Sequence, residues 1–256
     1  MSVSNQVQTA RIMANGDLLY HDGLYMSALQ ADGSYDFTEN FTYVKPWLKQ
    51  ADLVLGDFEG TINPDYPLSG YPLFNAPQSV TAAISDAGYD VMDLTHNHIL
   101  DSGLEGAFTT ADAFKEVGID PVGVYENPVR DKAPLFIKNV NGIKVAILSY
   151  AYGFNGLESN LTEKEIANHL SNLDEKRMKV EIERSEKEAD VTVIMPQMSV
   201  EYRLEPTDEQ VKLYHKMIDW GADIIFGGTL MWLSRLKWLK GWTAKTHYLL
   251  NGEFYL

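Results

Sequence analysis

Short apolar runs that stop at glycine alternate, along most of this chain, with stretches whose apolar residues recur at helical spacing. The first run, ARIMANGD (10–17), reads as a strand closed by a turn at Gly16. ADLVLGDFEG (51–60) repeats that design and ends in Gly56, Asp57, Glu59 and Gly60. Residues 76–88 carry helical spacing with a stop at Gly88. A third strand is expected over YDVMDLTHN (89–97), then a helix over 103–118 that ends at a glycine. Between 134 and 152, two β-rich runs flank Asn141-Gly142, the strongest hairpin signal in the chain. Residues 160–189 are charged and helical in pattern, a solvated helical pair on the outside of the fold. VTVIMP (191–196) reads as a strand, 207–221 as a helix capped by Thr207, ADIIFGG (222–228) as a strand, and KTHYLLNG (245–252) as the last one.

Such alternation with one hairpin predicts an α/β fold, a parallel or mixed sheet covered by helices. No internal repeat, low-complexity segment or interdomain linker interrupts it, so 1–256 is expected to form a single domain. In sheets of this kind ligands bind beyond the carboxyl ends of the strands, and those ends are unequal here. The first delivers Asp17 and His21, the second Asp57 and Glu59, the third His96, Asn97 and His98. Hard oxygens and imidazoles are the ligand set of one or two divalent cations. An ionised Glu59 directly after a buried strand calls for a cation or a basic partner, because desolvation disfavours its charge. Period-two geometry would point His96 and His98 to one face, unless the strand stops before them. The next two apolar strands end blandly, in Gln197 and Ser199, then Thr229 and Met231.

Charge and composition narrow the partners. A net charge of −15 opposes non-specific nucleic-acid binding and association with an anionic membrane surface. The absence of cysteine excludes thiolate metal sites, disulfides and a cysteine nucleophile. The opening residues lack a secretory signal, and no window reaches the apolar length of a membrane span, so a soluble chain with no membrane partner is expected. No Walker or Gly-x-Gly-x-x-Gly pattern supports a nucleotide cofactor. A small-molecule substrate or ligand is the expected partner; the oligomeric state stays open.

Five motifs carry a resemblance: GDLLYHD (16–22), GDFEG (56–60), NHILDSG (97–103), VEYRLEPTDEQ (200–210) and GADIIFGG (221–228). In this order, over nearly the whole chain, they resemble the bacterial capsule-synthesis proteins of the poly-γ-glutamate (CapA/PgsA-like) type. That resemblance implies a four-layer α/β/β/α sandwich related to the calcineurin-like metallophosphoesterases, and an extracellular or cell-surface setting in a bacterium. It implies Asp17, His21, Glu59, Asn97 and His98 as ligands of one divalent ion (Mn, Zn, Fe or Mg), with His98 alternatively a general acid.

The chain departs from the family pattern where that pattern would supply imidazoles, with Gln197, Thr229 and Met231 in their places and His96 added. Two readings follow. One is a hydrolase with a depleted metal centre. The other is a metal-free or rebuilt pocket, lined by the aromatic segment TLMWLSRLKWLKGW (229–242) and suited to an apolar ligand. In a version of the second, Ser199 hydrolyses an ester with His96 or His98 as its base, although no Gly-x-Ser-x-Gly elbow surrounds Ser199. His169, His215 and His247 read as ordinary helix or strand residues, and Trp232, Trp238 and Trp242 as packing.

Overall fold

The structure, a computed structural model, describes residues 8–198 and 206–228 together with the backbone of two later strands. Strands β1 (Ile12–Leu19), β2 (Leu53–Glu59), β3 (Val91–Asp93) and β4 (Asp120–Val122) form a parallel sheet in that order. A second sheet runs β5 (Ile137–Val140), β6 (Ile143–Ala151), β7 (Val191–Gln197) and β8 (Ile224–Ile225). Its first pair is antiparallel and the others parallel. Strands β9 (Lys237–Lys240) and β10 (His247–Leu250) pair antiparallel with each other.

Helices α1 (Asp22–Ala28), α2 (Lys45–Leu48), α3 (Ser79–Ala87) and α4 (Gly103–Glu116) follow the strands of the first sheet; α5 (Glu163–His169), α6 (Glu175–Glu188) and α7 (Asp208–Trp220) serve the second. Three apolar clusters define the layers. Val80, Ile84, Ala107 and Phe114 of α3 and α4 pack with Val54, Phe58 and Met92 on one outer face. Met178, Ile182, Leu213 and Met217 of α6 and α7 pack with Leu148, Tyr150 and Ile194 on the other. Between the sheets lie Leu53, Leu55, Val91, Val145, Ile147, Val193 and Met195. The order is helix, sheet, sheet, helix, the expected α/β/β/α sandwich.

Local chemistry sets the boundaries. At the β5–β6 hairpin Asn141 and Gly142 both adopt positive φ (53° and 89°), the conformation a tight two-residue turn requires. Helix α7 opens with a capping box between Thr207 and Gln210 and ends at Gly221, φ 118°. The third strand is much shorter than expected: the Thr95 amide donates to Asp93 Oδ1 at 2.7 Å, an Asx-type turn that ends pairing after Asp93. His96 and His98 therefore lie in a turn, and strand alternation does not govern them. The strand expected over 222–228 likewise contracts to Ile224–Ile225, with a bridge from Gln197 to Gly228 beyond it. Strand β4 escapes the hydrophobic pattern because Pro121 sits in its middle, tolerated at the sheet's edge.

Candidate functional site

The inter-sheet core changes character at the carboxyl ends of its strands. Successive residues on one face of a strand are two apart. On β2, Leu53 and Leu55 are followed on that face by Asp57 and Glu59; on β3, Val91 by Asp93; on β6, Val145 and Ile147 by Ser149; on β7, Val193 and Met195 by Gln197. All five of these polar residues are buried. Strand β1 joins them by a bulge: Ala14 pairs with Leu55 but Asp17, three residues on, pairs with Asp57. The extra residue keeps Asp17 level with Asp57 and leaves Leu18 on the helix-covered side.

Asp57 is 3% exposed, and its Oδ1 has no hydrogen-bond partner among the described residues. Burial, then the charges of Asp93, Asp17 and Glu59, holds its carboxyl well above the usual range, and it shares a hydrogen bond with Asp17. Burial also lifts Asp93 to about 7, against the pull of its bonds from the Ser149 hydroxyl and the Thr95 amide. Gly228 closes the group from the second sheet. A Cβ there would lie 2.8 Å from Asp57 Oδ2 and 3.8 Å from both Asp17 Oδ1 and Gln197 Cγ, so the position has no room for a side chain. A cavity of about 20 Å³ lies beneath, between Asp57 and Asp93 of the first sheet and Met195 and Phe226 of the second.

A second cluster stands beside the first. His98 Nδ1 is 2.7 Å from Asp101 Oδ2, which also accepts the Phe74 amide at 2.6 Å. That carboxylate fixes the ring, leaving Nε2 directed towards Glu59, 4.0 Å from Oε1. Phe74 packs edge-on against His98 (4.7 Å between centroids) and against His21 (4.8 Å). Asn97 donates through Nδ2 to Asn155 Oδ1 (3.2 Å) and accepts at Oδ1 from Gln197 Nε2 (2.7 Å). Gln197 Oε1 is buried, without a partner among the described residues.

The residues expected from the sequence are thus sorted. Asp17, Glu59, Asn97 and His98 converge with Asp57 and Gln197. His21 is exposed at the start of α1, and its recorded contact is the Phe74 ring. His96 is fully buried, its Nδ1 accepting the His98 amide (3.1 Å) and its Nε2 facing the Gly60 amide (3.3 Å). Burial, then the neighbouring His98, holds its pKa far below the ordinary imidazole range, so the ring is neutral and engaged with backbone. Ser199, Thr229 and Met231 lie outside the described residues, as do the side chains of the aromatic segment 229–242. Asp101, Asp93, Ser149 and Asn155 were not expected. The spacing of Asp101, three residues after His98 in NHILD, was a usable signal; Asn155 carried none.

The donor set bears on whether a metal fits. Among the described residues no group of three or more His, Asp or Glu side chains is disposed to hold a metal. What converges is two hydrogen-bonded carboxyls and carboxamides, with orphaned oxygens on Asp57 and Gln197. Oxygen donors of this kind fit one hard cation that keeps part of its water shell, and do not fit a closed imidazole site.

The fold defines the chain's class, a four-layer α/β/β/α sandwich. Its structure superposes with a TM-score of 0.55, at 14% identity, on a Staphylococcus aureus protein provisionally named as a 5'-nucleotidase and solved with alpha-ketoglutarate; the match covers 94% of this chain and 48% of that one. Within the class, residues 11–241 match the family described as bacterial capsule synthesis protein PGA_cap, and the chain belongs to that family. It is 33% identical over 195 residues to the capsule biosynthesis protein CapA of Bacillus anthracis, covering 73% of this chain and 47% of that protein. It is 27% identical over 191 residues to the PGA biosynthesis protein CapA of Bacillus subtilis strain 168, covering 73% and 49%. The chain spans about half the length of these relatives. Among the described residues no helix is long and apolar enough to cross a membrane.

Proposed function

We propose that this chain is a hydrolase that cleaves phosphoric esters of small molecules with the help of one divalent cation, and that it acts at the bacterial surface as part of capsule synthesis. The observation that carries the reading is the pairing of His98 with Asp101 beside the buried carboxyl of Asp57, which shares a hydrogen bond with Asp17. The surface setting rests on the relatives named for capsule biosynthesis.

A divalent cation, which Asp17 and Asp57 would hold, would supply Lewis-acid polarisation of a phosphoryl oxygen. The protein's own groups do the rest. His98 presents Nε2 while Asp101 holds Nδ1–H, so the ring can pass a proton from Nε2 to a departing oxygen without turning. Phe74 supports this ring at its edge, and its amide fixes Asp101. His96, neutral and bonded to backbone, positions the turn that carries Asn97 and His98 rather than touching substrate.

The test is hydrolysis of p-nitrophenyl phosphate and its bis ester with Mn²⁺ or Mg²⁺. His98→Ala is expected to lower kcat by about 10²-fold or more, and Asp101→Asn by about 10-fold or more, with thermal melts unchanged. Absence of turnover on both substrates in the unmodified protein, or full activity in His98→Ala, overturns the reading.

A further inference from the structure

A cavity of about 450 Å³ opens between β4, the segment 130–137, β6 and α6. Val122, Val124, Leu135, Phe136, Ile147 and Leu148 give it apolar walls. One end meets Ser149, while Asp17, Asp57, Glu59 and His98 take no part in its lining. Helix α6 supplies the charged side through Arg177, Val180, Glu181 and Arg184. These positions are i, i+3, i+4 and i+7, a single helix face. The charged pattern of 160–189 thus does more than solvate the outside of the fold: one of its faces borders a cavity.

Charge gathers there against the balance of the whole chain. The net charge is −15, yet three of the six arginines line this cavity, against two carboxylates, Asp131 and Glu181. Glu181 is already answered. Buried Arg130 donates to it through Nε at 3.1 Å and Nη2 at 2.8 Å, and the Tyr150 hydroxyl donates at 2.8 Å. Arg177 Nε lies 3.4 Å from the same carboxylate, and its Nη2 bonds the exposed Asp131. Arg184 pairs with Glu188 one turn on at 2.8 Å, both side chains nearly half exposed. Exposed pairs of this kind contribute little to stability, so Arg177 and Arg184 can turn to an anion in the cavity at small cost. A planar guanidinium matches a carboxylate through two parallel hydrogen bonds.

We propose that this cavity is a ligand site for a small organic carboxylate with an apolar body. Arg177 and Arg184 hold the carboxylate, and the aliphatic walls with Phe136 take the body. Mostly apolar walls with a few convergent polar groups, at this volume, are the usual form of a small-molecule site. The site stands apart from the cation-assisted hydrolysis above and does not depend on it.

The experiment is a fluorescence titration of the whole chain with 1-anilinonaphthalene-8-sulfonate, an apolar body carrying one anion, with decanoate and decanol as competitors. One saturable site is expected, displaced by decanoate at a concentration about 10-fold or more below that needed for decanol. Val180 is 64% exposed, so changes there leave the core intact while altering the charge at the cavity. Val180→Glu is expected to weaken binding by about 10-fold, whereas Val180→Lys should bind at least as tightly as the unmodified protein. Thermal melts of both variants report folding, and the lysine variant separates loss of the anion site from damage to the helix. The proposal is overturned if the unmodified chain shows no saturable binding or if the two Val180 variants bind equally. Displacement by decanol as readily as by decanoate overturns it as well.

Discussion

Asp93 shows how a single side chain ties this site to stability. Burial lifts its carboxyl to about 7, whereas the unfolded chain ionises near 3.8. Between those values the folded state holds a proton that the unfolded state has lost, so stability falls as pH rises from about 4 to about 7. Asp57 is raised for the same reason and acts in the same direction. The lowered carboxyls, Asp32, Asp36, Asp52, Asp86 and Glu165, lie at the surface and oppose this trend only at lower pH. His96, neutral in the fold but protonated below 6.5 in the unfolded chain, opposes it below pH 6.5. The cation-free protein is therefore expected to melt higher at pH 6.5 than at pH 7.5. Asp93→Asn, which keeps an acceptor for Ser149, should raise the melting temperature at pH 7.5 and flatten the slope. Calorimetry in chelator across that range checks it; a melting temperature that climbs from pH 6.5 to 7.5 contradicts it. At this scale the sequence was partly legible. Asp17, Glu59 and His98 stood out as polar residues closing apolar runs. Asp57 was visible at a strand end but not singled out, and Asp93 lay inside what read as a strand, where periodicity alone does not distinguish a buried carboxyl from a turn residue.

Among the elements, the β1 bulge decides whether the first carboxylate reaches the site. Ile12 and Ala14 face the inter-sheet core, and in a regular strand Asp17 would face away from it. The added residue at Asn15-Gly16 restores it to the side of Asp57. Deleting Asn15 alone makes the strand regular with Asp17 two residues after Ala14, and should keep Mn²⁺ binding within about 3-fold. Deleting Asn15 and Gly16 together turns Asp17 to the helix side and should abolish binding; both follow from the period-two geometry. Equal loss in both deletions would contradict this role for the bulge. Gly16 marked a strand end in the sequence, but a bulge depends on a partner's register and leaves no local signature. The Asn141-Gly142 hairpin and the Thr207 cap were legible because each is complete within a few residues. Strand β4 was not, because three residues around a proline acquire strand character only from the neighbour they pair with.

For the molecule as a whole, two sheets share one apolar interior whose far end is polar. The aliphatic part, from Leu53 to Met195, holds the sheets together; the polar end, from Asp17 to Gln197, opposes them by charge repulsion and unmet hydrogen bonds. Proteins retain such local conflict chiefly at functional sites. The layered fold could be read from strand–helix alternation and five family-like motifs. The amide chain from Asn155 through Asn97 to Gln197 could not, because it joins residues 58 and 100 positions apart. The most direct test of the account is anomalous diffraction at the manganese edge from crystals equilibrated with Mn²⁺. The account predicts one peak within ligand distance of Asp17 and Asp57, lost in Asp57→Ala. Saturating Mn²⁺ with no peak there, or with its only peak elsewhere on the molecule, contradicts it.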